Sequence, residues 1–194
     1  KTLKITREET FVQEKKISLI IGNASYVHGG NLSNPINDVK EMSKSLKSLG
    51  FEIMKYENVD QRTMKRAIDD FGTKLKSYDI GLFFYAGHGV QVGGYNFLIP
   101  IDAKLNSQND VEYDCINVGR VLSKMENADN KTNILILDAC RDNPFERSWM
   151  RGAKGKGLAF MNAPTGSLIA YATSPGKTAS DGRNKNGLYT SALL

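Results

Sequence analysis

The sequence predicts one α/β domain built on a mainly parallel sheet, with helices on both faces. Short apolar runs rich in β-branched residues recur along the chain, as expected of strands. Segments with apolar residues at helical spacing separate these runs. The runs are apolar throughout rather than alternating, which is typical of parallel strands covered on both faces.

The first half of the chain supplies two strand–helix pairs. Lys16–Ile21 is a short apolar run that Gly22 and Asn23 stop. Apolar residues then recur at helical spacing over Ile36–Leu49, and Gly50 closes that segment. A second strand is predicted at Phe51–Tyr56, and the spacing predicts a second helix over Met64–Leu75.

The second half continues the alternation. A fully apolar strand is predicted at Ile80–Tyr85, and a hairpin around Gly93 and Gly94 spans Val90–Ile99. A short helix at Val118–Met125 precedes a buried strand at Ile134–Leu137.

The last elements follow a segment without periodicity, Arg141–Gly157. A fifth strand is predicted at Ser167–Ala172, and Leu188–Leu194 reads as the opening of a helix. We therefore divide the chain into a polar lead-in at 1–15 and one domain at 16–194. Within that domain we distinguish three parts: residues 16–141, a basic linker at 142–160, and residues 161–194.

The composition excludes several protein classes. With 194 residues, 40% of them hydrophobic and 24% charged, the chain fits a soluble globular domain. Two cysteines are too few for a disulfide scaffold, and no apolar run is long enough to span a membrane. The net charge of +5 is modest and does not by itself indicate nucleic-acid binding. We expect a cytoplasmic protein, with a targeting segment upstream of residue 1 left open.

A histidine and a cysteine follow two of the predicted strands. The third strand ends in Tyr85-Ala-Gly-His88-Gly89, and the fourth ends in Asp138-Ala-Cys140-Arg141. If the strands are parallel, His88 and Cys140 lie on loops at the same edge of the sheet, where sites in such folds form. An imidazole near a thiol takes its proton or stabilises the thiolate, so the two residues are a candidate catalytic pair.

The backbone around this pair suggests an oxyanion site. Glycine flanks His88 on both sides, which lets a substrate approach closely. The amides of Gly89 and Cys140 are the predicted donors to a developing oxyanion. Taken singly, each residue has a plainer interpretation: the cysteine as a small buried hydrophobe and the histidine as a structural hydrogen-bonding group.

Together, the two residues resemble a known pattern. Caspase-type nucleophiles lie in a Gln-Ala-Cys-Arg-Gly type signature with the histidine about 50 residues upstream. Here the segment is Asp138-Ala-Cys140-Arg141-Asp142, and His88 lies 52 positions before Cys140. The chain resembles the caspase-like peptidases, and within them the paracaspase and bacterial metacaspase-like branch. The segments that carry the resemblance are Leu19–Asn23, Asn37-Asp38, Tyr85–Gly89, Ile99–Ala103, Leu137–Arg141 and Tyr171–Thr173.

The resemblance implies a fold and an activity. It implies a mainly parallel, roughly six-stranded sheet with flanking helices, and hydrolysis of peptide bonds through a thioester. It assigns His88 and Cys140 as the catalytic dyad. It also implies a large-subunit-like part at 16–141 and the start of a small-subunit-like part at 161–194.

The resemblance also bears on specificity, because the paracaspase and metacaspase branch binds a substrate Arg or Lys with acidic residues. Asp38, Asp138 and Asp181 match that branch, and carboxylates suit a guanidinium. Each acid has another interpretation. Asp38 could complement a helix N-terminus, Asp138 could hold a loop, and Asp181 lies in a turn sequence.

The basic linker has two interpretations. Solvated charge is the default, but an Arg/Lys-directed protease could cleave itself there. The candidate sites are Arg147, Arg151, Lys154 and Lys156.

The remaining expectations concern metals, partners and rival functions. Cys115 lacks a partner motif and reads as structural, and Asp110, Glu112 and Asp114 could offer oxygens to calcium. We expect no metal or cofactor, and calcium dependence is not favoured. The expected partners are protein or peptide substrates, not nucleic acid or membrane, with a homodimer or a regulatory partner domain left open. The rival functions are a catalytically silent caspase-like scaffold and a nucleic-acid-binding module.

Overall fold

The computed structural model describes residues 13–140, 158–172 and 186–194. Its strands are β1 (Lys16–Gly22), β2 (Phe51–Glu57), β3 (Ile80–Val92), β4 (Tyr95–Leu98), β5 (Ile116–Asn117), β6 (Thr132–Cys140) and β7 (Ser167–Tyr171). Its helices are α1 (Pro35–Ser48), α2 (Gln61–Leu75), α3 (Gln108–Asp114), α4 (Val118–Glu126) and α5 (Leu188–Leu193).

Five of the described strands form a parallel sheet in the order β2-β1-β3-β6-β7. The far half of β3 pairs antiparallel with β4, and β4 pairs with β5, which adds the predicted hairpin to the sheet. The predicted α/β fold with a mainly parallel sheet is confirmed.

Helices cover both faces of the sheet, as the apolar strands predict. On one face, α2 and α4 bury side chains such as Phe71 and Val121 against β1, β3 and β6. On the other face, α1 buries Val39, Met42 and Leu46 against residues of the same strands. Full burial of an apolar side chain of this size contributes about 1.5–3 kcal/mol, so each α1 contact matters to the fold.

Local signals fix several helix ends. The Asp60 side chain accepts a hydrogen bond from the Thr63 amide and caps α2. No periodic pattern in the sequence predicts α3 or β5. Helix α3 has seven residues and buries only Val111, so it carries no periodic pattern. A capping box between Ser107 and Asp110 starts it instead.

The prediction that His88 and Cys140 lie on loops beyond the strand ends is wrong. β3 continues past Tyr85 to Val92, and β6 continues to Cys140. The two glycines around His88 do not end the strand, because β3 pairs with β6 over this stretch and then with β4.

None of the helices in the described parts of the chain is long and apolar enough to cross a bilayer.

Candidate active site

The sheet brings the predicted catalytic residues together through strand register. His88 on β3 and Cys140 on β6 are Cα partners in a parallel pairing, and Asp138 is the partner of Ala86 two residues earlier. Neighbouring strands lie about 4.8 Å apart, so the two backbones are adjacent at this point. The side chain of Cys140 lies outside the described part of the structure.

The imidazole of His88 is buried and its orientation is fixed. Its Nε2 lies 2.7 Å from the carbonyl oxygen of Gly30. A carbonyl can only accept, so Nε2 carries a proton and donates it to Gly30. In the neutral ring, Nδ1 is then the nitrogen that can take up a proton, which is the property a general base needs.

Two tyrosines hold the histidine in place, and the sequence analysis missed both. The His88 amide donates to the hydroxyl of Tyr26 at 2.8 Å, and the two rings lie 4.5 Å apart at a tilt of 48°. The buried Tyr85 hydroxyl lies 2.9 Å from the His88 carbonyl oxygen and 3.0 Å from that of Ile99, and its single proton is shared between these two acceptors. Burial, with Tyr26 beside it, raises the pKa of Tyr85, so this hydroxyl keeps its proton.

The glycines around His88 serve close packing. A Cβ at Gly87 would lie 2.6 Å from the Tyr85 hydroxyl and 2.7 Å from the Tyr26 hydroxyl. A Cβ at Gly89 would lie 3.0 Å from the Ala139 side chain and 3.3 Å from that of Leu158. The backbone of the predicted oxyanion donor Gly89 is therefore packed between β6 and Leu158, near the end of the linker.

Two of the three predicted substrate-binding acids meet in the structure, and we call Asp38 and Asp138 the acid pair. Asp38 lies in the first turn of α1 and Asp138 on β6, and both are buried. The Gly187 amide donates to Asp38 Oδ1 at 2.9 Å. The Thr190 hydroxyl donates to Asp138 Oδ2 at 2.5 Å. The sequence analysis did not single out Gly187 or Thr190, and no short-range pattern marks them.

The plainer interpretations of the acid pair are compatible with this geometry. Asp38 does lie at the N-terminus of α1, where negative charge is favourable. Asp138 does hold another segment, through Thr190 on α5. Asn37, next to Asp38, also hydrogen-bonds to Asn186, so the start of α1 and the segment before α5 are joined twice.

Several predicted residues lie outside the described part of the structure. These are Asp181 and the candidate self-cleavage sites Arg147, Arg151, Lys154 and Lys156. Their roles stay predictions.

The second cysteine differs from a nucleophile. Cys115 is a buried free thiol, and burial, followed by the charges of Asp114 and Asp102, raises its pKa far above the ordinary range. A thiol in this state stays protonated near neutral pH and does not react.

The described residues do not form a metal centre. Among them, no group of three or more His, Cys, Asp or Glu side chains is placed to hold an ion. Asp110, weighed above as a calcium ligand, accepts hydrogen bonds from the amides of Asn106 and Ser107 at the start of α3. Those bonds lower the pKa of Asp110 and give its charge a structural role.

Comparisons with known proteins agree with this fold. The caspase domain family, Peptidase C14, matches residues 15–194. The human mucosa-associated lymphoid tissue lymphoma translocation protein 1 is 32% identical over 126 residues, which is 65% of this chain and 15% of that protein. Its mouse homologue matches to the same extent, so the chain spans a small part of the length of these relatives.

A solved structure supports the fold independently of sequence. The Drosophila initiator caspase Dronc superposes with a TM-score of 0.62 at 14% identity, covering 96% of this chain and 68% of that one. At this identity the likeness concerns the fold alone. With the family match over nearly its whole length, the chain belongs to the caspase domain family.

Proposed function

We propose that this chain is a cysteine endopeptidase that cleaves peptide bonds after Arg or Lys. The observation that carries the proposal is the register that makes His88 and Cys140 Cα partners, together with the Gly30 contact that fixes the His88 ring. The acid pair lies beside the same strand ends and supplies the charge that a cationic substrate side chain requires.

The reaction divides peptide hydrolysis into two steps. His88 takes the proton of the Cys140 thiol, and the thiolate attacks the substrate carbonyl carbon. The oxyanion that forms accepts hydrogen bonds from the amides of Gly89 and Cys140. His88 gives a proton to the leaving amine as the C–N bond breaks, which leaves a thioester. Water then loses a proton to His88 and attacks the thioester, which releases the acid product and restores Cys140.

Specificity comes from charge. Two carboxylates buried near each other repel, and a guanidinium or ammonium between them relieves that repulsion. Asp38 and Asp138 bind the substrate cation in this proposal, and Asp181 is the third acid. A substrate Asp would add a further negative charge at the same place, so cleavage after Asp is disfavoured.

The same specificity would allow the protein to process itself. Arg147, Arg151, Lys154 and Lys156 follow the nucleophile within the basic linker and carry the side chains that the acid pair selects. Cleavage at one of them would separate the large-subunit-like part from the small-subunit-like part.

A covalent probe tests the proposal without requiring turnover. The protein is incubated with peptidyl ketone probes that alkylate thiols and end in Arg or in Asp, and the adduct is located by mass spectrometry. We expect the Arg probe to label Cys140 and the Asp probe to label it far more slowly. His88→Asn should abolish the labelling, whereas His28→Asn, at the exposed second histidine, should leave it unchanged.

The other outcomes separate the alternatives. Labelling by the Asp probe alone would keep the protease and overturn the acid pair as its specificity site. No adduct with either probe on a folded protein would favour the catalytically silent scaffold.

A further inference from the structure

Residue 187 is a glycine although its backbone conformation does not require one. It is the residue before α5, with φ −55° and ψ 148°, which is a conformation open to every L-residue. At this position before a helix, Ser, Thr, Asn and Asp are preferred over glycine. Neither its backbone conformation nor capping explains this glycine, so its surroundings must be considered.

The missing side chain would point at the acid pair. A Cβ on Gly187 would lie 3.2 Å from Asp38 Oδ2 and 3.3 Å from Asp138 Oδ2, with Asp138 Cγ next at 3.9 Å. These distances are shorter than ordinary Cβ contacts, so the Gly187 backbone packs closely against both carboxylates. A side chain at this position would push the two carboxylates out of place.

Residues of α5 and its N-cap also fix the two acids relative to each other. The Gly187 amide binds Asp38 Oδ1, and three residues later the fully buried Thr190 hydroxyl binds Asp138 Oδ2. Asp38 and Asp138 come from α1 and β6, which are far apart in sequence. A single helical turn therefore holds both carboxylates and sets the distance between them, although their negative charges repel.

We propose that Gly187 and Thr190 are specificity-determining positioning residues for the cationic side chain of the substrate. Gly187 lets both carboxylates lie against the start of α5, where a side chain would displace them from the guanidinium or ammonium group, and Thr190 holds the Asp138 carboxylate in place. This inference rests on the proposed cleavage after Arg or Lys. It adds that the selectivity depends on the start of α5 as well as on the acids.

Two substitutions test the two residues. Gly187→Ala should raise KM for Arg and Lys peptides about tenfold or more with little change in kcat, because it removes binding of a side chain remote from the reacting bond. Thr190→Val should raise KM in the same way, whereas Thr190→Ser, which keeps the hydroxyl, should have the KM of the wild type. Ser191→Ala, at an exposed residue of the same helix, is the matched control.

A binding measurement supplies a readout apart from turnover. In a Cys140→Ala background, calorimetry with argininamide should show a dissociation constant raised about tenfold by Gly187→Ala and unchanged by Ser191→Ala. Iodoacetamide has no side chain for the acid pair, so it should alkylate Cys140 at equal rates in the wild type, Gly187→Ala and Thr190→Val. An equal rate also shows that each variant is folded around its nucleophile.

The results distinguish this inference from the proposed function. If the wild type cleaves after Arg or binds argininamide, and Gly187→Ala and Thr190→Val match it, only the inference is overturned. If the wild type neither cleaves after Arg or Lys nor binds argininamide, the proposed function fails and the inference fails with it. If Gly187→Ala does not fold, the comparison of Thr190→Val with Thr190→Ser decides: equal KM values overturn the inference.

Discussion

Removing one hydroxyl, in Tyr26→Phe, tests how the histidine is held. The Tyr26 oxygen accepts the hydrogen bond of the His88 amide at 2.8 Å, and both residues are buried. Phenylalanine keeps the ring that packs 4.5 Å from the imidazole, so the substitution removes only the oxygen. A buried amide that loses its acceptor costs about 1–3 kcal/mol.

This cost should appear in both stability and activity. In a domain of this size, each kcal/mol shifts Tm by about 2–4 °C, and denaturant unfolding gives the free energy directly. If the proposed function holds, kcat/KM should fall as well, because a displaced base transfers protons less efficiently. Tyr113→Phe, at an exposed tyrosine, should change neither quantity.

A double-mutant cycle sharpens the result. The Tyr26 and Tyr85 hydroxyls lie 3.4 Å apart, and both serve the backbone of His88. We expect Tyr26→Phe and Tyr85→Phe to couple by about 0.5–3 kcal/mol rather than add. An unchanged free energy of unfolding in Tyr26→Phe would refute the reasoning, because the His88 amide would then not depend on that oxygen.

Three further predictions concern residues around the site. Gly87→Ala should destabilise the fold by about 1–3 kcal/mol, since its Cβ would lie 2.6 Å from the Tyr85 hydroxyl, as denaturant unfolding can measure. Asn96→Ala should cost about 1–3 kcal/mol, because the buried Asn96 side chain bonds to both the amide and the carbonyl of Ala159, at 2.6 and 2.8 Å. When the native protein is alkylated at pH 7 and peptide-mapped, Cys115 should be unmodified, because burial raises the pKa of its thiol. Above the usual thiol pKa of about 8.5, unfolding releases the Cys115 proton, so the free energy of unfolding falls as pH rises. That fall should be less steep in Cys115→Ala.

Each of these predictions has a control within the chain. Gly30→Ala should change stability by less than about 0.5 kcal/mol, and so should Asn127→Ala at an exposed asparagine. If Gly87→Ala or Asn96→Ala matches its control, the packing argument for that residue is wrong. Alkylation of Cys115 in the folded protein would contradict its burial.

The sequence predicts the sheet well and the supports of the site poorly. Strands such as β1 and β6 are runs of apolar residues buried on both faces, and a local pattern is enough to locate them. The placement of His88 near Cys140 follows from the same logic, since residues at corresponding positions of parallel strands are neighbours. The error about their loops arose because glycine is depleted in strands, whereas here it allows tight packing.

The contacts that complete the site have no local signature. Gly30 lies 58 positions from His88, and Gly187 lies 149 positions from Asp38. Such contacts depend on how the chain closes in three dimensions, and neither periodicity nor composition reports on that. Helix α3 shows the same limit on a smaller scale, because one buried residue is too few to form a pattern.

The most direct test of the central claim is cleavage of matched fluorogenic peptides that end in Arg, Lys or Asp. The assay is run with and without calcium, beside Cys140→Ala. The account predicts cleavage after Arg or Lys, independent of calcium and absent in Cys140→Ala. Cleavage after Asp alone, or cleavage that persists in Cys140→Ala, would contradict it.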